Sequence, residues 1–286
     1  MRIIKRKQGK QEYFYLQHSM RTGKKVITRE RYLGTNVPAN VNKIISDFKE
    51  ELERNLYNKL EAIKKSFQAE WKRMPVSARK KELEEISISF TYNTNAIEGS
   101  TITFEEAREI IHNKIAPNKS LRDVNETEAH NKIFLKMLEK RERITNELLL
   151  EWHKGIFGES KPDIAGGYRD YLVRVGGYLA PDWQEVKRLM SELINFINSN
   201  EGKMNAVELS ARAHYKFEKV HPFGDGNGRI GRLLMNQILW HENYPMLIIE
   251  YKKRKSYYKA LQKDEEHFVA YFIRRYLAIH KKRVLA

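Results

Sequence analysis

The sequence predicts an all-α fold with two small β-hairpins, and three observations carry that reading. After residue 38, apolar residues recur every three to four positions, as in Ile44, Ile45, Phe48, Leu52, Leu56, Leu60, Ile63 and Phe67. That spacing gathers side chains onto one face of a helix. Residues 11–33 break the pattern. There, Tyr13, Phe14, Tyr15 and Leu16 precede Arg21-Thr22-Gly23-Lys24, and Val26, Ile27, Thr28, Tyr32 and Leu33 follow it. Aromatic and β-branched runs around a glycine-containing turn read as a hairpin. A second island at 168–181 has period-two residues, the pair Gly176-Gly177 and a closing Pro181, which suits another short hairpin.

The elements follow in order. Pro38 and Asn40 punctuate the chain before a long amphipathic helix at 41–73. Pro75 interrupts the periodicity, and Ser77 is positioned to cap a helix that runs to about Glu98 and stops at Gly99. Thr103 and Glu106 have capping-box spacing ahead of Ala107, Ile110 and Ile111. Further helices are expected at 120–140, 146–157, 184–200, 205–219 and 256–279. The chain thus divides into a basic hairpin appendage at 1–38, a helical segment at 39–84, a helical body at 85–280 and a basic tail at 281–286.

Composition bounds the chemistry. The chain has 286 residues and no cysteine, which excludes disulfides, thiolate metal sites and cysteine nucleophiles. Met1-Arg2-Ile3-Ile4-Lys5-Arg6-Lys7 has no apolar stretch behind its charges, so no secretory signal is expected. No run is long enough to span a bilayer. No membrane partner and a cytoplasmic location are the expectation. The net charge of +16 is uneven: residues 1–31 hold ten Lys/Arg against two Asp/Glu, and residues 251–286 hold eleven against three. The body between them is neutral, so any role in nucleic-acid binding belongs to the two basic termini.

The most informative stretch is His221-Pro222-Phe223-Gly224-Asp225-Gly226-Asn227-Gly228-Arg229-Ile230-Gly231-Arg232. It opens a predicted helix at 230–240, in which Ile230, Leu233, Leu234, Gln237 and Ile238 share a face. Gly226, Asn227 and Gly228 permit unusual backbone dihedrals, so successive N–H groups can converge on an anion. The helix N-terminus adds its unpaired donors and its dipole. Arg229 and Arg232 supply fork-shaped donors suited to phosphate oxygens. His221 is the candidate base, with an ordinary pKa near ~6.5. Asp225 is the candidate ligand for Mg²⁺ or Mn²⁺. This is a polyphosphate site with a base beside it.

The stretch resembles the Fic family signature HPFx[DE]GNGRxxR, and it departs from it at no fixed position. The resemblance covers roughly residues 85–280 and implies a Fic-like helical core. It also implies a protein adenylyltransferase, which moves AMP from ATP to a Tyr, Thr or Ser hydroxyl of a target protein. On that resemblance Arg229 faces the inner phosphates and Arg232 the γ-phosphate. The hairpin at 168–181 looks like the family's flap, which puts Val173, Arg174, Val175 and Gly176 along the nucleotide and holds the target as an added strand. Lys255-Ser256-Tyr257-Tyr258 resembles an element whose tyrosines flank the adenine. An asparagine that some relatives carry shortly afterwards is replaced here by Lys263, Asp264 and Glu265.

Thr94-Asn95-Ala96-Ile97-Glu98-Gly99 matches the family's inhibitory motif [ST]xxxE[GN]. The resemblance implies that Glu98 pairs with Arg232 and displaces the γ-phosphate. A homodimer is compatible with the family. Two other functions fit the same residues: removal of AMP, with Glu98 orienting water, and nucleic-acid-dependent regulation through the basic termini.

Overall fold

The structure is a computed structural model and describes residues 1–22 and 25–284. Gly23 and Lys24, where the sequence puts the first hairpin's turn, lie outside the described residues, as do Leu285 and Ala286 of the basic tail. The chain forms two compact units, residues 1–66 with 274–286, and residues 67–273.

The first unit holds one strand more than the sequence predicts. β1 (Arg2–Gln8), β2 (Gln11–Thr22) and β3 (Lys25–Gly34) form an antiparallel sheet in the order β1-β2-β3. Arg2 pairs with Gln17 and Gln8 with Gln11, so a tight turn at Gly9-Lys10 joins the first two strands. The alternation of Arg2, Ile3, Ile4, Lys5, Arg6 and Lys7 mixes basic and apolar residues, which hides the period-two signal that marks a half-buried strand. One face of the sheet packs Leu16 and Leu33 against Phe48 in the first turns of α1 (Val41–Arg73), with Phe14, Ile44, Ile45 and Leu52 around them.

The second unit is helical. α2 (Val76–Ile97), α4 (Leu121–Lys140), α5 (Asn146–Phe157), α6 (Val186–Asn200), α7 (Ala206–Val220) and α8 (Asn227–His241) surround a core that includes Phe90, Phe134, Trp152, Phe217, Ile230 and Leu234. Short α3 (Phe104–Arg108) starts with the expected capping box: Thr103 accepts from the Glu106 N–H, and Glu106 accepts from the Thr103 N–H. A π-turn over Glu109–Asn113 extends it, a feature the sequence does not announce. Ser120, Thr145 and Asn205 cap α4, α5 and α7 through their side chains.

Two boundaries differ from expectation. Ser77 lies inside α2, whose first position follows Pro75, and no side chain caps it. The helix expected at 256–279 is two helices, α9 (Arg254–Leu261) and α10 (Glu265–Ile279). The break has a clear cause: Asp264 accepts from the His267 N–H at 2.9 Å and so starts a new helix. No helix among the described residues is long and apolar enough to cross a membrane.

Candidate functional site

The site is built on the loop from α7 to α8. His221 ends α7 in the left-handed region (φ 50°) and donates its N–H to the Phe217 carbonyl. Phe223 then turns inward, fully buried, with its ring stacked 3.9 Å from that of His153. Asn227 clamps the loop from both sides. Its Oδ1 accepts from the Phe223 N–H and its Nδ2 donates to the Phe223 carbonyl, each at 2.8 Å.

This clamp uses the Asn227 side chain and leaves the backbone N–H groups of the expected anion cradle in place. α8 begins at Asn227, three residues before the predicted start, and of Gly226, Asn227 and Gly228 it is Gly226 that takes a left-handed conformation (φ 78°). The Asn227 side chain is committed to the loop. The anion donors on offer are therefore the first-turn N–H groups of α8, which have no partner within the helix. Gly228 has a different role. A Cβ there would lie 2.1 Å from Glu98 Oε1 and 2.8 Å from Arg232 Nη1, so a bare backbone is what lets α2 end against α8.

Arg232 is 1% exposed and bound to the end of α2. Its Nε donates to Thr94 Oγ1 at 2.6 Å, and its Nη2 donates to the Thr94 carbonyl at 3.1 Å and to Glu98 Oε1 at 2.6 Å. Thr94 and Glu98, four residues apart, thus occupy two edges of one guanidinium. Its Nη1 is buried and makes no hydrogen bond among the described residues. Burial pushes the nearby Glu218 carboxyl up to about 7, and the carboxylate in salt-bridge contact with Arg232 is that of Glu98.

A second cluster joins Asp225, Lys161, Glu126 and Arg229. Lys161 Nζ lies 2.5 Å from Asp225 Oδ2 and 3.3 Å from Glu126 Oε1. Arg229 Nη1 donates to Glu126 Oε2, and its guanidinium lies over the Phe157 ring. Burial alone would raise the Glu126 carboxyl, but Arg229 and Lys161 hold it below the usual carboxylate range. Lys161 does the same for Asp225. Sequence reasoning misses both Glu126 and Lys161, because single charged residues far from the motif carry no local pattern.

His221 is largely enclosed, and burial pulls its imidazole below the ordinary value, so the ring is a neutral proton acceptor at pH 7. The flap beside it is a minimal hairpin, β4 (Arg174–Val175) paired with β5 (Tyr178–Leu179). Val173 is half-buried, and Arg174, Val175 and Gly176 are exposed, with Gly176 at the turn.

Arg169, 4% exposed, ties the flap to the loop. Its side chain donates to the carbonyls of His221 (2.8 Å), Tyr171 (2.8 Å) and Pro181 (2.6 Å), and its N–H donates to Pro222 O (2.9 Å). One residue thus joins both stems of the flap to the loop that carries His221. Arg169→Ala is expected to destabilise the protein by about 2–4 kcal/mol, because it strands several buried carbonyls. Arg169→Lys is expected to recover only part, since an ammonium cannot fork. Thermal denaturation checks this; a loss under ~0.5 kcal/mol for the alanine variant would contradict it.

Tyr257 does not present a face to a ligand. It is fully buried, its hydroxyl lies 2.8 Å from His214 Nε2, and Phe268 closes on its ring. Tyr258 is 39% exposed and donates to the Ile97 carbonyl at 3.3 Å. Of the pair, only Tyr258 is open to solvent beside the end of α2.

Residues 143–239 match the Fic/DOC family model. The protein adenylyltransferase Fic of Nematostella vectensis is 34% identical over 201 residues, which cover 68% of this chain and 47% of that protein. Its counterpart in Culex quinquefasciatus is 35% identical over 201 residues, 68% of this chain and 40% of that protein. The chain therefore spans about half the length of the curated relatives it matches, or less. Among solved structures, Fic-1 from C. elegans matches with a TM-score of 0.70 at 26% identity, over 87% of this chain and 75% of that one. A Fic domain containing signaling protein from Bacteroides thetaiotaomicron matches with a TM-score of 0.66 at 26% identity, over 81% and 96%. The matched residues include the loop from α7 to α8, and the chain carries a Fic domain.

Proposed function

We propose that this chain is a protein adenylyltransferase held inactive by Glu98. The observation that carries the reading is the engagement of Arg232 by Thr94 and Glu98, within a complete His221–Arg232 constellation. A target hydroxyl oxygen attacks the α-phosphorus of ATP. The new P–O bond forms as the bond to the pyrophosphate oxygen breaks, and the hydroxyl proton passes to the neutral imidazole of His221. The α8 N–H groups and the Nη1 of Arg232 hold phosphate oxygens. The exposed edge at Val173, Arg174, Val175 and Gly176 receives the target backbone as an added strand, which positions its hydroxyl without reading much of its sequence.

Glu98 competes with the γ-phosphate for Arg232. With the pair intact, ATP binds with its α-phosphorus out of line. The test is transfer of label from α-labelled ATP, onto the protein itself and onto lysate proteins, by the parent and by Glu98→Gly. Label in the variant and little in the parent supports the proposal. Loss of AMP removal from a modified target, with no gain in transfer, would instead assign the reverse reaction.

Among the described residues, no group of three or more His, Asp or Glu is placed to hold a metal with protein ligands alone. Asp225 suits Mg²⁺ or Mn²⁺ in another way, because Mg²⁺ takes one carboxylate together with substrate phosphates and waters. When bound, the ion neutralises charge on the phosphates. Lys161 stands at that carboxylate, so its ammonium must give way to the ion. Asp225→Ala is expected to raise the metal concentration needed for transfer. Lys161→Met is expected to lower it by about tenfold, equal to ~1.4 kcal/mol of competition. Metal titrations of transfer rate check both; unchanged requirements in both variants would show that the ion does not use Asp225.

A further inference from the structure

The first unit carries a site of another kind. On the sheet face opposite Leu16 and Leu33, Tyr13, Tyr15 and Tyr32 form a cluster. Tyr15 and Tyr32 face each other across the strands with ring centroids 5.3 Å apart, and Tyr13 lies 6.2 Å from Tyr32. Tyr32 is 54% exposed. An aromatic cluster of this size on a sheet is normally covered, and these rings lie on the side of the sheet away from the Phe48 core.

Arginines are fixed beside the rings. Arg2 donates through Nε and Nη2 to Gln17 Oε1 at 2.9 and 2.7 Å. Gln17 Nε2 donates to Glu30 Oε1 at 2.7 Å, and Arg6 Nη2 donates to the same oxygen at 2.6 Å. Arg6 also lies over the Tyr15 ring, 5.0 Å from its centroid. Glu30 answers one positive charge while it orients the array, and Arg6 keeps further donors of its fork for another acceptor. The segment around this face, residues 1–31, holds ten Lys/Arg against two Asp/Glu.

We infer that this face binds single-stranded nucleic acid, with bases stacked on Tyr13, Tyr15 and Tyr32 and phosphates held by Arg2 and Arg6. The charge complementarity selects the partner. A polyanion that also carries flat apolar faces matches rings and guanidiniums alternating on one open sheet, whereas a duplex hides its base faces. None of these residues belongs to the proposed transfer chemistry.

The test uses the full chain with fluorescein-labelled oligo-dT, oligo-U and a duplex of the same length, followed by anisotropy from about 50 to about 200 mM salt. The single strands should bind more tightly than the duplex. Tyr32→Ala and Tyr15→Ala should each weaken binding by roughly 5- to 100-fold, the range measured for loss of one stacking ring. Tyr32→Phe, which keeps the ring, should stay within about twofold. Arg6→Gln should reduce the slope of log K against log salt by about 0.7, one phosphate contact on a single strand. Tyr32 is exposed enough that its replacement leaves the sheet folded, which circular dichroism verifies. No binding to any strand would overturn the inference and leave the tyrosines to a protein partner. Equal binding of duplex and single strand, unaffected by the tyrosine substitutions, would overturn it in favour of a diffuse basic surface.

Discussion

His221→Ala is expected to reduce transfer from ATP by at least about 10²- to 10⁴-fold, the usual contribution of a positioned general base. The substitution removes a proton acceptor and no phosphate contact, so nucleotide affinity should change little. The loop should also persist, because its anchors are Asn227 on Phe223, Arg169 on the His221 carbonyl and the His153–Phe223 stack. None of these uses the His221 ring. Single-turnover rates and nucleotide binding measured side by side separate the two effects. Retention of more than a few per cent of the parent rate would remove His221 from the role of base. The pH profile gives a second check. Burial lowers the folded pKa of His221, so the ring is in its accepting form above that value. Transfer should therefore rise with pH through an apparent pKa below ~6.5 and be flat from there to pH 8. A rise centred above pH 7 would contradict this.

Glu98→Gly should turn a nearly silent protein into an active one. The partly exposed carboxylate holds Nη2 of the buried Arg232 at 2.6 Å. A charge-assisted bond of that kind is worth about 1.5–3 kcal/mol. Its removal should favour the productive ATP pose by roughly 10- to 100-fold, at ~1.4 kcal/mol per decade. Total ATP affinity should move much less, since a misaligned pose also binds. The structural cost should be small, because Glu98 is the C-cap of α2 and the bond that closes the last turn, from its N–H to the Asn95 carbonyl, uses a backbone donor that glycine also supplies. Thr94 remains on Arg232 in this variant and keeps the guanidinium in place. Equal transfer rates in the parent and the variant would show that Glu98 does not restrain the site.

Much of this was legible in the sequence because the signals are local. The capping box at Thr103 and Glu106 is a pair of residue types at a fixed offset, and the helices expected at 41–73 and 146–157 coincide with α1 and α5, whereas the caps at Ser120, Thr145 and Asn205 were not read from the sequence. The motif was legible because its residues are contiguous. Its geometry was less so: nothing in the motif announces that the Asn227 side chain clamps Phe223 from both sides. The rest needed three dimensions. Glu126 meets Arg229 across 103 positions and Lys161 meets Asp225 across 64, and no spacing rule links such pairs. Arg169 acts through carbonyls, which any residue supplies, so its partners have no signature. Tyr257 and Tyr258 are adjacent and chemically alike. Only packing separates the one that fills the core from the one at the surface.

Intact-mass spectrometry of Glu98→Gly after incubation with ATP, Mg²⁺ and an acceptor protein tests the central claim most directly. The account predicts an added mass of one AMP residue on the acceptor or on the chain itself, with release of pyrophosphate, and no addition when His221→Ala is combined with it. An added phosphate would contradict it, as would an unmodified protein under conditions where ATP is bound.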